Sequence, residues 1–161
     1  MNSIYNLKDY FILDKSNPWE GTPLENYYAL NPAAKGNKAE EIVSSILTSM
    51  GYDVKDRTDS GHDRIINGIK TEIKFATAVN RNTDWGCMYN HISFEKDWDQ
   101  ILLVCVNGDC LIHGILYKKE KLPKELLAHQ QGGKRSDNDD FMVEATKSKA
   151  ILFNKNGTTV L

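Results

Sequence analysis

Several features are scarce in this sequence, and each scarcity closes off a class of protein. No run of apolar residues approaches the roughly 18 that a membrane helix needs. The longest, Ile101 to Val106, has the length of a strand. The 161 residues hold three cysteines, Cys87, Cys105 and Cys110, with no C-x-x-C pair among them. An odd count without that pairing gives no expectation of a disulfide framework. The opening Met1-Asn2-Ser3-Ile4 lacks the basic start and apolar block of a signal peptide. Together these absences read as a cytoplasmic protein with no membrane contact. Excess positive charge is missing too. The formal net charge is -2, which argues mildly against a nucleic-acid partner. The sum hides a local bias, however. From Lys118 to Arg135, six bases stand against Glu120 and Glu125, a local net of +4.

What is present reads as one folded domain of ordinary length, residues 1–161. Residues 1–35 form an N-terminal arm, rich in aromatics set among prolines. Such a segment is not left free in solvent, so it packs on the core or on a partner chain, partly helical near Leu24 to Leu30. From Lys38 to Met50, the residues Ala39, Ile42, Val43, Ile46, Leu47 and Met50 recur at helical spacing. Asn37 is the expected cap and Gly51 the expected stop. Strands are expected at Tyr52 to Arg57, His62 to Ile66 and Ile69 to Ala76, the last two joined by Asn67-Gly68, a strong hairpin turn. A short helix is expected around Ser93 to Trp98. A hairpin of Ile101 to Val106 with Cys110 to Tyr117 follows. Leu122 to His129 reads as a short helix, Gln130 to Asp140 as a polar loop, and Phe141 to Ala145 and Ala150 to Phe153 as late strands. There are no internal repeats. The economical solution is an α/β (α+β) fold, a mixed central sheet flanked by helices. The catalytic core spans 36–117, and 118–161 supplies C-terminal strands and loop.

The chemistry lies in the hairpin around Asn67-Gly68. Glu72 and Lys74 are two apart on a strand and face one side. If Ile66 pairs with Ile69, Asp63 comes opposite Glu72, on that same face. Two opposed carboxylates repel unless something sits between them. A divalent cation such as Mg²⁺ is the natural occupant, since it uses one or two carboxylates, several waters and substrate phosphates. Lys74, one pleat further on, can orient an attacking water or stabilise a charged transition state. The bland alternative is a solvated Glu-x-Lys ion pair beside a turn-edge aspartate.

The run Gly36-x-x-Ala39-Glu40-x-x-Val43, then Gly51-Tyr52, then Asp63-x8-Glu72-Ile73-Lys74 resembles the core of PD-(D/E)xK nucleases. That class includes many type II restriction endonucleases. The likeness covers residues 36 to about 117 and implies a helix, a three-strand meander, a helix and further strands (αβββαβ). It implies that Asp63 and Glu72 bind Mg²⁺, with Mn²⁺ able to substitute. The Ile73 carbonyl completes the site, and Lys74 is the catalytic lysine. Glu40 matches a helix glutamate that adds a carboxylate in many members. The alternative for Glu40 is a surface residue favoured by the helix dipole. The chain departs from the pattern at His62, which stands where the family's proline is common. His62 alternates to the other face and is not expected to bind metal.

His91 is a candidate for phosphate contact, although a lone histidine is more often structural. Gln130, Lys134 and Arg135 lie in a glycine-containing loop suited to phosphate or base contact, or to simple solvation. Cys87-x3-His91 and Cys110-x2-His113 do not match zinc-ligand spacings. The function expected is a Mg²⁺-dependent endonuclease acting on double-stranded DNA, a sequence-specific type II restriction enzyme working as a homodimer through its aromatic arm. The alternatives are a homing, junction-resolving or repair nuclease, or a small catalytic subunit beside a larger partner. A non-catalytic nucleic-acid-binding module ranks last, because Asp63 and Lys74 are both present.

Overall fold

The computed structural model describes residues 17, 19–77, 86–106, 110, 112–122, 127–129, 141–146 and 158–159. A short helix, α1 (Glu25–Tyr28), leads into a long one, α2 (Pro32–Ser49). α2 starts at Pro32 rather than at Lys38. Asn31 is the cap, its Oδ1 accepting the Ala34 N–H at 2.9 Å. Asn31-Pro32 is the stronger start signal. The asparagine side chain takes one orphan donor, and proline's fixed φ and missing N–H cost nothing in a first turn. Asn37, the cap expected from sequence, lies inside the helix. The helix ends as expected at Gly51, which has φ +89°. The Gly51 N–H donates to the Thr48 carbonyl and the Tyr52 N–H to that of Leu47, both at 3.0 Å.

The strands are β1 (Val54–Asp56), β2 (Arg64–Ile66), β3 (Ile69–Thr77), β4 (Gly86–Ile92), β5 (Gln100–Val106), β6 (Ile112–Lys118), β7 (Leu127–His129), β8 (Phe141–Thr146) and β9 (Thr158–Thr159). Six of them form one sheet in the order β1-β2-β3-β5-β6-β9, and β4-β8-β7 form a second. The main sheet is mixed: β3 and β5 run parallel, and the other pairs are antiparallel. Asn67 and Gly68 both take positive φ, and Ile66 stands opposite Ile69, which is the register a two-residue primed turn requires.

β5 sits between β3 and β6 and is buried along its whole length. Its alternation splits the core in two. Leu102 and Val104 meet Val43 and Leu47 of α2 on one face. Ile101, Leu103 and Cys105 meet Cys87, Tyr89 and Ile92 of β4 on the other. The arm is tied down from Trp19 onward: Trp19 and Leu24 pack on Val106, and the Tyr27 ring lies 5.4 Å from that of Phe75. Residues 1–16 lie outside the described part.

Three expectations are corrected. Residues 93–98 form turns rather than a helix, with the Trp98 indole N–H donating to the Ser93 carbonyl at 2.8 Å. Among the described residues, the face opposite α2 is covered by β4 instead of by the second helix of the αβββαβ order. The described residues of Leu122 to His129 do not form the expected helix either. A 3₁₀ turn at Lys119–Lys121 precedes them and Leu127–His129 is a strand. Finally, Cys87 and Cys105 are joined as a disulfide, with their Cα atoms 5.9 Å apart. The two positions meet only because β4 folds over β5, which a separation of 18 residues does not reveal. The expected strand at Ala150 to Phe153 lies outside the described residues.

The two asparagines allow a direct check of the helix start. Asn31→Ala is expected to cost about 1 kcal/mol by loss of the cap, whereas Asn37→Ala gains a few tenths by helix propensity. Urea midpoints of the two variants measure this, and equal midpoints would contradict the assignment.

Candidate functional site

β2 pairs with β3 only as far as Arg64 opposite Thr71. Beyond that point β3 has no partner strand on this side among the described residues, and Asp63 sits where the two strands part. Its backbone N–H still donates to the Thr71 carbonyl at 3.0 Å. The next donor along the edge, the Ile73 N–H, is taken by the Asp63 carboxylate itself, Oδ2, at 2.8 Å. Asp63 therefore does not form the cross-strand pair with Glu72 that the register extrapolates to. Its side chain continues the ladder where the backbone has left it.

Glu72 is 1% exposed. Its Oε1 meets Lys74 Nζ at 2.7 Å and Lys96 Nζ at 3.5 Å, while its Oε2 is buried without a hydrogen-bond partner. Lys96 is a site residue that sequence reading missed, because it reaches Glu72 only through the folding of the 93–99 turns. Those turns are well held. The Asp99 N–H donates to the Lys70 carbonyl at 2.9 Å, Lys119 Nζ donates to the Lys96 carbonyl at 2.8 Å, and that ammonium lies 4.5 Å over the Trp98 ring.

Glu40 reaches the site from α2. Its Oε2 accepts from Arg64 Nη1 at 2.8 Å, and the same nitrogen donates to the Asp63 carbonyl at 2.7 Å. Arg64 Nε donates to Ser44 Oγ at 3.1 Å. Arg64, unremarked in the sequence, thus ties the helix glutamate to the aspartate's own peptide. Burial raises the Glu40 carboxyl above its ordinary range, and the Asp63 charge adds to this. Asp63 is raised as well, first by burial and then by the Glu72 charge, against the Ile73 hydrogen bond and the two lysines.

A cleft of about 590 Å³ runs along this edge of β3, and the buried Glu72 does not line it. Glu40, Asp63, Ile73, Lys74 and His91 all line it. His91 is exposed, has φ +59°, and lies where the β4–β8 register shifts between Tyr89 and Ile92. Such a bulge re-aims side chains. On the α2 wall stands Gly36, inside the helix, where glycine costs roughly 0.5–1 kcal/mol relative to alanine. Gln130, Lys134 and Arg135 lie outside the described residues. His62 is buried, its Nδ1 3.3 Å from Asp59 Oδ1 but outside hydrogen-bond geometry.

The donor set suits a hard cation held loosely. Among the described residues no three His, Cys, Asp or Glu side chains gather as a metal cluster. Two carboxylates are enough for Mg²⁺, which keeps most of its waters. The unpartnered Glu72 Oε2 and the crowded Asp63 charge are what such an ion would satisfy. Among the described residues, no helix is long and apolar enough to cross a membrane.

No protein-family model matches the chain, and no curated protein matches it. Among solved structures, a bacterial homing endonuclease, I-Ssp6803I, superimposes with a TM-score of 0.41 at 9% identity, covering 78% of this chain and 95% of that one. A likeness this distant carries no weight for fold or function.

Raised carboxyl pKa values mean that the folded state disfavours the ionised form. The cost is present at neutral pH and disappears as Asp63 takes up a proton on acidification. Asp63→Asn keeps an acceptor for the Ile73 N–H but is always neutral. With metal chelated, it should melt a few degrees above wild type at pH 7, of the order that about 1 kcal/mol gives in a chain this size. That gap should shrink as the pH falls toward the ordinary carboxyl range. A variant less stable than wild type at both pH values would show that the carboxylate is favourable where it stands.

Proposed function

We propose that the chain is a Mg²⁺-dependent endonuclease of double-stranded DNA, with Asp63, Glu72 and Lys74 at its centre. The observation that carries this reading is the Glu72 carboxylate. It is buried, paired through one oxygen with Lys74, unpartnered at the other, and close enough to Asp63 to raise its pKa. A buried carboxylate with an unsatisfied oxygen is costly, and the cost is reasonable where that oxygen has work to do. The resemblance to PD-(D/E)xK nucleases in residues 36 to about 117 supports the same reading.

Asp63 and Glu72 are the groups that would hold the ion, with the Ile73 carbonyl beside them. When bound, Mg²⁺ would supply charge stabilisation and a more acidic water. The chain's own residues supply the rest. The Ile73 N–H holds one Asp63 oxygen in place. Arg64 keeps Glu40 from adding its charge unbalanced. Lys74 is paired with Glu72 and lines the cleft, where it can orient the water and stabilise the phosphorane charge. In the net reaction, the water oxygen bonds to phosphorus and the bond to the leaving sugar oxygen breaks. The proton released by the water ends on that leaving oxygen or in solvent.

We further read the enzyme as sequence-specific and of restriction type, working as a homodimer that cuts one strand per subunit. Mn²⁺ is the expected substitute. The N-terminal arm, residues 1–35, is the candidate dimer element.

The test is cleavage of plasmid and phage DNA with about 10 mM Mg²⁺ and with chelator, a concentration chosen for a weakly held ion. Discrete Mg²⁺-dependent fragments are expected. Lys74→Ala should lose about 10²–10⁴-fold in rate, and Asp63→Ala should lose cleavage together with the rise in melting temperature that Mg²⁺ gives wild type. Cleavage that persists undiminished in either variant would remove these residues from the centre. A smear of fragments would point to a nonspecific or repair enzyme instead.

A further inference from the structure

The inference drawn here rests on the nuclease reading and concerns how the substrate lies in the cleft. Four glycines of the described chain have visible reasons to be glycine. Gly21, Gly51 and Gly68 take positive φ, and at Gly61 a Cβ would come within 2.8 Å of Asp97 Cβ. Gly36 has neither reason. It lies inside α2, its φ is not positive, and a Cβ built there meets nothing within 4 Å. Helix propensity disfavours it, and nothing in the chain's own packing requires it. Its exposed surface faces the cleft that also holds Asp63 and Lys74.

Its neighbours on that wall complete the picture. Lys35 precedes it and lines the same cleft, with Nζ 4.8 Å over the Tyr28 ring. Among the described residues Lys35 meets no carboxylate. Its ammonium is positioned by an aromatic face rather than neutralised by an acid. Tyr28 is 43% exposed, one of the few large apolar side chains left so open. A bare stretch of helix, an unneutralised cation and an open aromatic ring therefore line the same cleft, one helical turn before Glu40.

We infer that one strand of the DNA passes over α2 at Gly36, its sugar–phosphate backbone resting directly on the helix where a side chain is missing, a phosphate meeting Lys35 and a sugar or base edge meeting Tyr28. Glycine is the residue that lets a ligand backbone come this close. A nucleic-acid strand fits better than a second copy of this chain, because the wall offers cation and aromatic surface beside a phosphate-cutting centre.

The test is equilibrium binding of the full-length chain to a labelled mixed-sequence duplex with metal chelated, over a salt series, beside thermal melts. Gly36→Ala should melt about 2 °C higher than wild type, since it only improves the helix. It should nevertheless bind about fivefold more weakly, and Gly36→Leu more weakly still. Lys35→Ala should reduce the slope of log affinity against log salt by about one unit, whereas Gly36→Ala should leave the slope unchanged. If Gly36→Ala binds as tightly as wild type while wild type binds well, this inference is wrong and the nuclease reading survives. A Gly36→Ala protein that melts lower would also overturn it, by showing an internal packing role. If wild type binds no duplex at all, the functional reading fails and this inference with it. Loss of self-association in Gly36→Leu with DNA binding intact would give the wall to a second copy of the chain.

Discussion

The site depends on β2 being shorter than β3. After Arg64 opposite Thr71 the antiparallel ladder stops, and an unpaired sheet edge is an open row of donors and acceptors. The Asp63 carboxylate takes the Ile73 N–H. This one bond closes the ladder, fixes a carboxylate at the edge of the sheet, and leaves the rest of that edge open as a cleft. Two layers then meet there. α2 brings Glu40 from one face, and β4 brings Tyr89 and His91 from the other. β3 can serve both because β5, buried on both sides, holds it at the middle of the core.

Electrostatically the centre is an arrangement of imperfect compensation. Glu72 is buried and has a lysine on one oxygen only. Asp63 has a backbone donor but also feels Glu72, so its carboxyl is raised. A chain built for stability alone would place neutral groups at these positions, since removing such charges from water is costly. That the fold tolerates them is explained by supports further out. Arg64 spans Glu40, Ser44 and the Asp63 carbonyl. The 58–61 turn packs so closely on Asp97 that only glycine fits at position 61. Lys70, which contacts Asp97, also accepts the Asp99 N–H at its carbonyl. These contacts fix the ends of the two strands that carry the carboxylates.

The hairpin was legible in the sequence because it rests on local rules. Asn67-Gly68 dictates a primed turn, the turn dictates Ile66 opposite Ile69, and the alternation puts Glu72 and Lys74 on one side. The long helix was legible from its apolar spacing, though its start was not. Gly36 and Asn37 interrupt the pattern and suggest a boundary that Asn31-Pro32 in fact supplies. What the sequence could not show is non-local. Lys96 reaches Glu72 through turns held by Trp98 and Lys119. The Cys87–Cys105 pair exists only because β4 lies over β5. Asp63 leaves the ladder because β2 ends, and no periodicity marks where a strand stops. A face covered by strands instead of a second helix is a tertiary choice of the same kind.

The acidic sum weighs less against the proposed DNA substrate once charges are placed. Each carboxylate of the candidate site has a cation or a donor assigned to it: Glu40 has Arg64, Glu72 has Lys74 and Lys96, and Asp63 has the Ile73 N–H. Repulsion toward a phosphate strand is therefore short-ranged and local to the centre, which a bound cation would reverse in sign. Away from the centre, Lys35 carries a charge offset by no acid among the described residues. The whole-chain sum of -2 averages over surfaces that never face the substrate. The sign that matters for a phosphate is set within about one Debye length of the cleft, and among the described residues that line it Lys35 and Lys74 stand against Glu40 and Asp63.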